Sequence, residues 1–276
     1  MVKSEMEGNS SMEYGMPTLI ELDSLEETAR LCKELELSFI ELNMNLPQYQ
    51  ISELEDVNQY LRLQKQYGIF FTIHLDENLN VADFNELVAN AYRQTVRRTI
   101  RVGKILGVPI LNMHMNHGVH FTLPDRKVQL FEQYEDKYLA AISEFRIMCE
   151  DEVGENGLKI SIENTDGFSG YEQKAIDLLL ESKVFSLTWD IGHSNSAGNV
   201  DENFLMERQS RLVHFHIHDS LGERNHLTLG TGEIDLLQRI NIASANHCRC
   251  VVETKTIQSL RQSICWLKKM HQINSN

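Results

Sequence analysis

Apolar and polar positions along the chain follow two periods that take turns. Short stretches alternate at every second residue, as strands do, and longer stretches repeat at helical spacing. The strand-like runs are Thr18–Glu21, Ser38–Asn43, Ile69–Leu75, Pro109–Met115, Leu158–Glu163, Val184–Asp190, Leu212–His218 and Cys248–Glu253. Between them the spacing predicts helices near 24–36, 52–67, 83–107, 128–153, 171–182, 201–210, 233–242 and 256–270. Strands that alternate with helices imply a parallel sheet with helices packed outside it. Eight such units in about 260 residues suit one closed (β/α)8 TIM barrel. An open doubly wound sheet is the rival, but no glycine-rich phosphate loop follows the first strand. The expected organisation is a flexible tail over residues 1–16 and a single barrel catalytic domain over 17–276.

Local signals agree with these elements. Ser24 with Glu27, and Ser52 with Glu55, have capping-box spacing. In the third helix Phe84, Val88, Ala91, Val96, Ile100 and Leu106 share one face, which is expected to be buried.

The strands also say which side faces inward. Phe71 and Ile73 oppose Thr72 and His74, and Leu111 and Met113 oppose Asn112 and His114. Ile160 and Ile162 oppose Ser161 and Glu163, and Phe185, Leu187 and Trp189 oppose Thr188 and Asp190. Val213, Phe215 and Ile217 oppose His214, His216 and His218. The apolar face suits packing under helices, and the polar face suits a barrel interior that opens on a site. From the third strand to the eighth, each ends on a ligand-type residue: His74, His114, Glu163, Asp190, His216 and Glu253. Barrel sites form where strands end and the following loops begin. One acid at a strand end is an ordinary helix cap, but six ligand types on successive inward faces need a common cause. Glu163, Asp190, His216 and Glu253 offer three hard oxygens and one nitrogen. That set suits a divalent Mn, Zn, Mg or Co ion. His74 and His114 are expected either to hold a further ion or to hydrogen-bond substrate. Lys255, just past Glu253, is placed to touch a phosphate or carboxylate of a substrate.

Composition narrows the partners. The chain carries 40 acidic and 26 basic residues, for a net charge of −14. An acidic surface repels a phosphate backbone, which argues against nonspecific nucleic-acid binding. Arg93, Arg97 and Arg101, with Arg98 and Lys104 nearby, form a basic stripe on one helix, read as the solvated outer face of the barrel. His117 and His120 fall in the loop after the fourth strand and are read as surface residues. The five cysteines are odd in number and scattered, and Cys248 and Cys250 share a strand face as buried thiols. With a polar first stretch and no run of roughly 20 apolar residues, the expectation is a cytoplasmic protein with reduced thiols, away from membranes. A homo-oligomer is left open, and no organic cofactor is expected.

At this point the motifs resemble a known family. Ser161-Ile-Glu-Asn-Thr165, Trp189-Asp-Ile-Gly-His193, His216-Ile-His-Asp-Ser220 with Leu229-Gly-Thr-Gly-Glu-Ile-Asp235, and Val251-Val-Glu253 look like the successive motifs of the xylose isomerase-like barrels. That family includes sugar phosphate isomerases and epimerases and, more distantly, endonuclease IV. Phe39-Ile-Glu-Leu42 resembles the second-strand glutamate motif of the sugar enzymes. The resemblance runs over roughly residues 18 to 270. It implies one divalent metal on Glu163, Asp190, His216 and Glu253. It further implies Glu163 and Glu253 as the acid–base pair, with Glu41 and His193 beside a sugar-like substrate. The reaction class is then isomerisation or epimerisation through a metal-stabilised enediolate, and dehydration uses the same intermediate. The alternative is an endonuclease IV-like zinc phosphodiesterase acting on abasic DNA, in which residues matching His74, His114, His193 and His226 help hold further zinc. This sequence departs from that pattern: Arg224 stands where an Asp is expected two residues before His226, and the Gly-Ala-His start is missing near Thr18.

Overall fold

Parallel strands cannot be joined by tight turns, so each must be followed by a crossover. In the computed structural model, which describes residues 12–274, the crossovers carry helices and the strands close on themselves. The eight barrel strands are Tyr14–Pro17, Phe39–Asn43, Phe70–His74, Ile110–His114, Lys159–Glu163, Phe185–Asp190, Leu212–Ile217 and Arg249–Val252. Each pairs in parallel with its chain neighbours, and the first closes the ring on the eighth through Tyr14 with Cys250 and Gly15 with Val251. The chain is therefore an α/β protein with a closed TIM barrel.

Helices wrap the outside and cover the apolar strand faces. Phe71, Ile73, Leu111, Ile160, Leu187, Trp189 and Phe215 are all buried in that shell. The helices start where capping chemistry lets them. The Ser24 side chain accepts from the Glu27 N–H, and Ser169 with Glu172 forms a full capping box. Two short antiparallel hairpins rise beyond the barrel. One joins His120–Thr122 to Lys127–Gln129, and the other joins Asp219–Leu221 to Arg224–Leu227.

Four expectations change. The first strand is Tyr14–Pro17 rather than Thr18–Glu21, so residues 14–16 are part of the barrel and not of a tail; residues 1–11 lie outside the described residues. Glycine and proline are poor strand formers, but pairing on both sides overrides that preference. Gly15 is needed there, because a Cβ would sit 2.5 Å from the Phe39 ring. The second capping box is absent, since the helix Ile51–Leu54 already contains Ser52 and Glu55 follows it. The third helix begins at Glu86, and Phe84, Val88 and Ala91 are exposed while Ala89, Val96 and Ile100 are buried. In its first turn Leu87 and Val88 face solvent, and Ala89 is the residue that turns inward.

The basic stripe is tied down by neighbouring helices. Arg98 forms a bidentate pair with Glu55, Arg101 with Glu152, and Arg97 lies 3.5 Å from Glu152. Arg93 donates to the Val81 carbonyl and to Glu144. Those contacts bind the helix to its neighbours through acids and a backbone carbonyl. Cys248 and Cys250 are buried free thiols. Among the described residues no helix is long and apolar enough to cross a membrane.

Candidate metal centre

Strand alternation and parallel register together decide which side chains meet at the mouth. Register pairs Asn43 with His74, His114 with Glu163, and Asp190 with His216. Residues two positions earlier form a second inward layer below: Glu41 pairs with Thr72, Asn112 with Ser161, and Thr188 with His214. The mouth is thus a ring of ligand-type groups standing on a ring of buried polar ones.

The upper ring converges on one point. Donor atoms of Glu163, Asp190, His216 and Glu253 all lie within 4.8 Å of one another. His216 Nδ1 is 2.9 Å from Glu163 Oε1, 3.2 Å from Glu253 Oε2 and 4.0 Å from Asp190 Oδ2. Burying three carboxylates together is costly unless positive charge lies among them. His216 Nδ1 and Glu253 Oε2 are also buried without a hydrogen-bond partner, an arrangement polar groups rarely adopt unless something else is meant to meet them. The donor set is hard oxygen with one imidazole. On these grounds the residues fit a divalent ion.

The protonation preferences tell the same story. Burial disfavours the Glu163 carboxylate, yet the charges of His216 and His114 beside it hold it well below the usual carboxylate range. Burial also opposes ionisation of Asp190 and Glu253. His218 and His193 lower the first, and His216 with Lys255 lowers the second. His216 moves the other way: burial pulls it down, but Glu163, Glu41 and Glu253 lift it well above an ordinary histidine. The site concentrates negative charge, an environment that suits a cation at its centre.

Glu41, expected beside a substrate, stands one layer below the mouth. It lies in the lower ring, 2% exposed, with both oxygens engaged. Oε1 is 2.7 Å from His216 Nε2, while Oε2 is 2.9 Å from His214 Nε2 and accepts from Thr72 Oγ1 at 2.9 Å. Burial raises the carboxyl's pKa, but the His216 charge and the hydrogen bond with His214 outweigh it and keep Glu41 ionised. Its place is behind His216, on the ring nitrogen opposite the one that faces the carboxylates. Carboxylate–histidine pairs of this kind orient metal ligands.

The four residues expected around further ions fall into two groups. His74 Nε2 and His114 Nε2 lie 3.2 and 3.1 Å from Glu163 Oε2, which also accepts from Asn112 Nδ2. Glu163 is therefore shared: Oε1 serves the four-residue set and Oε2 the two histidines. Burial lowers His74, but Glu163 and Glu41 bring it up to about 9. His193 and His226 instead gather with His218 on the other side of Asp190. His193 Nδ1 is 3.1 Å from Asp190 Oδ2 and 4.0 Å from Glu163 Oε1. Burial pushes the His226 imidazole down to about 4.

Lys255 Nζ donates to Glu253 Oε1 at 2.8 Å, and both residues line a cleft of about 180 Å³ with Thr18, Asn43, Asn45 and Glu77. A larger groove of about 560 Å³ between Phe84, Tyr134, Lys137 and Glu144 contains none of the mouth's side chains. His117 is no idle surface residue. Nδ1 lies 2.7 Å from the buried Glu172 and Nε2 2.9 Å from Asp166, which ties the loop after the fourth strand to the loop after the fifth. His120 is exposed. Glu172's hydrogen bond outweighs burial and raises His117 from 6.5 to about 9. A raised pKa contributes stability fully below about 6.5 and loses it as pH rises through about 9. The side chain is 42% exposed, so solvent screening leaves about 1 kcal/mol or less. The melting-temperature gap between wild type and His117→Gln should therefore shrink from pH 6 to pH 10; a gap that stays constant rejects the charged pair.

Sequence reasoning passed over Asn112, Thr188, His214 and His218 as functional groups. Their signal was the same two-residue alternation: each shares a strand face with a ligand-type residue.

Comparison with known proteins agrees with this architecture. Residues 29–270 match the xylose isomerase-like TIM barrel family. A relative from Methanocaldococcus jannaschii, named only as an uncharacterized protein, is 27% identical over 195 residues; the match covers 67% of this chain and 63% of that protein's length. A D-tagatose 3-epimerase-like protein superposes with a TM-score of 0.75 at 23% identity, over 95% of this chain and 98% of that one. A 3-keto-D-glucoside 4-epimerase from E. coli gives 0.73 at 17%, over 94% and 99%. At these identities the structural likeness shows the fold.

Proposed function

Because the chain belongs to the xylose isomerase-like TIM barrel family and gathers two glutamates, an aspartate and a histidine at one point of the mouth, we propose that it is a divalent-metal-dependent sugar isomerase or epimerase. The observation that carries this reading is that Glu163 and Glu253, three strands apart around the ring, both approach His216 Nδ1. Glu163, Asp190, His216 and Glu253 would hold the ion, which supplies Lewis-acid polarisation of a substrate carbonyl. Glu163 and Glu253 are the two bases. One takes the proton from the carbon beside the carbonyl, leaving an enediolate, and the other returns a proton to the opposite face. Both rest ionised, so one is ready as the base, and the other takes up a proton from solvent before it acts as the acid. His74 and His114 stand beside Glu163 as donors to substrate oxygens. Asn43, Asn45, Thr18 and Lys255 line the adjoining cleft with groups that suit hydroxyls. The names of two similar solved structures, both sugar epimerases or like them, support the same class.

The test is solvent exchange. Protein loaded with Mn²⁺ is incubated in deuterated water with a panel of ketoses, aldoses and keto acids. Deuterium should enter the C–H next to the carbonyl of at least one of them. A panel with no exchange overturns the proposal.

A second reading, a zinc phosphodiesterase, has one observation in its favour: the two histidine groups flanking the four-residue set offer room for more cations. Arg224, in place of an acidic ligand near His226, counts against it. Elemental analysis separates the two, since one bound metal favours the isomerase and three favour the nuclease. Cleavage of abasic-site DNA without sugar exchange would establish the second reading.

A further inference from the structure

Asp190 differs from the other three members of the set in how it is held. On one side its Oδ1 accepts from the His193 N–H at 2.7 Å, as N-cap of the short helix Ile191–Ser196. On the other side a fully buried imidazole, His218, places Nε2 at 3.0 Å from Oδ1 and 3.1 Å from Oδ2. The carboxylate is clamped between a backbone N–H and a ring.

The clamp works only if the ring proton is on Nε2, and the fold decides that. His218 Nδ1 accepts from the His226 N–H at 2.9 Å. A backbone N–H is a donor and nothing else, so a proton on Nδ1 would face it directly. The Asp219 carbonyl at 3.3 Å is the competing partner for Nδ1, but it is the longer contact. The fixed N–H facing Nδ1 and the Asp190 carboxylate facing Nε2 together place the ring proton on Nε2. His226 delivers that N–H from a left-handed backbone, with φ of 56°, a conformation that histidine adopts at some cost. The hairpin carrying it is anchored by Asp219, whose carboxylate accepts from the N–H groups of Ser220, Gly230, Gly232 and Ile234.

Gly192 completes the arrangement. A Cβ at that position would lie 1.9 Å from His218 Cε1 and 2.1 Å from Nδ1. The ring is packed against the helix backbone in the space where a side chain would be. The sequence between Asp190 and His193 therefore includes a glycine for the sake of a residue just past the end of the next strand.

We propose that His218 is a positioning residue that aims Asp190 into the metal centre, with its tautomer set by the His226 backbone and its place made by Gly192. The inference rests on the reading that Asp190 is a metal ligand. It also removes His218 from the trio with His193 and His226 as an ion-binding group: a ring whose Nε2 proton goes to Asp190 and whose Nδ1 lone pair is taken has no nitrogen left to bind a cation.

The experiment uses the full chain and two metals. Mn²⁺ affinity is measured by titration for wild type, His218→Leu, His218→Gln and Gly192→Ala, and the visible absorption of each Co²⁺-saturated protein is recorded. His218→Leu should weaken Mn²⁺ binding about 10–100-fold, the usual effect of losing a partner behind a metal ligand. Gly192→Ala should match it by displacing the ring. His218→Gln, which keeps an N–H donor at a similar reach, should recover part of the affinity. The Co²⁺ bands should keep their positions in all four proteins, because no ligand is lost. Affinity of His218→Leu equal to wild type overturns the inference, and so does a Co²⁺ spectrum showing a lost nitrogen ligand. If His218→Leu does not fold, His218→Gln and Gly192→Ala carry the test: wild-type affinity in Gly192→Ala overturns it. Wild-type protein that binds no Mn²⁺ would overturn the metal reading and this inference together. Wild-type binding with unaffected variants overturns this inference alone.

Discussion

Glu163→Gln and Glu253→Gln should each lower turnover by about 10²–10⁴-fold at saturating metal, the usual share of a positioned acid–base group. Glutamine keeps the size of the side chain and one oxygen donor, but it cannot take up a proton at neutral pH. The two variants must be assayed with metal in excess, because a neutral amide is a poorer ligand and both glutamates belong to the four-residue set. The decisive feature is what survives. If each glutamate serves one face of the substrate, Glu163→Gln should still exchange a substrate C–H with deuterated water from the face served by Glu253, without completing the reaction. Glu253→Gln should exchange from the other face only. Single-face exchange in each variant, with epimeric specificity reversed between them, is the expected pattern. Turnover close to wild type in either variant would remove that residue from proton transfer.

Glu41→Ala should destabilise the fold by about 3–5 kcal/mol, the range found when one partner of a buried ion pair is removed. Glu41 is buried below the mouth and faces two histidines and a threonine. Without it, His216 Nε2 and His214 Nε2 lose their facing carboxylate in a space that water does not reach. His216 then also loses the group that orients its Nδ1 toward Glu163 and Glu253, so metal affinity falls with stability. Chemical denaturation checks the first effect and metal titration the second. A Glu41→Ala protein as stable as wild type, with only a raised KM, would instead mean that Glu41 reaches substrate.

The difference between these two glutamates shows how far alternation reads. Glu41 and Glu163 both stand on inward strand faces and both match a family motif. The period of two places each inside the barrel but gives no height along its axis. Height follows from how far each strand is offset from its neighbours, and the register that pairs Glu41 with Thr72 puts Glu41 one layer below the mouth. His214 and His216 are separated in the same way, one in each layer. The first strand failed for a related reason. Tyr14–Pro17 contains a glycine and a proline, and only pairing with strands on both sides makes it a strand.

By itself the sequence determined the alternation of strands and helices, the inward faces, and the four ligand-type residues at or beside the ends of the last four strands. Those features depend on local periodicity, which the backbone imposes wherever the chain runs. Tertiary structure decided the rest: that Glu163 shares its two oxygens between His216 and the His74–His114 pair, that His193 and His226 gather with His218 away from that pair, and that Gly192 makes way for the His218 ring. Such contacts join residues distant in the chain. Their geometry is set by strand register and loop closure, two quantities that no single stretch of sequence contains.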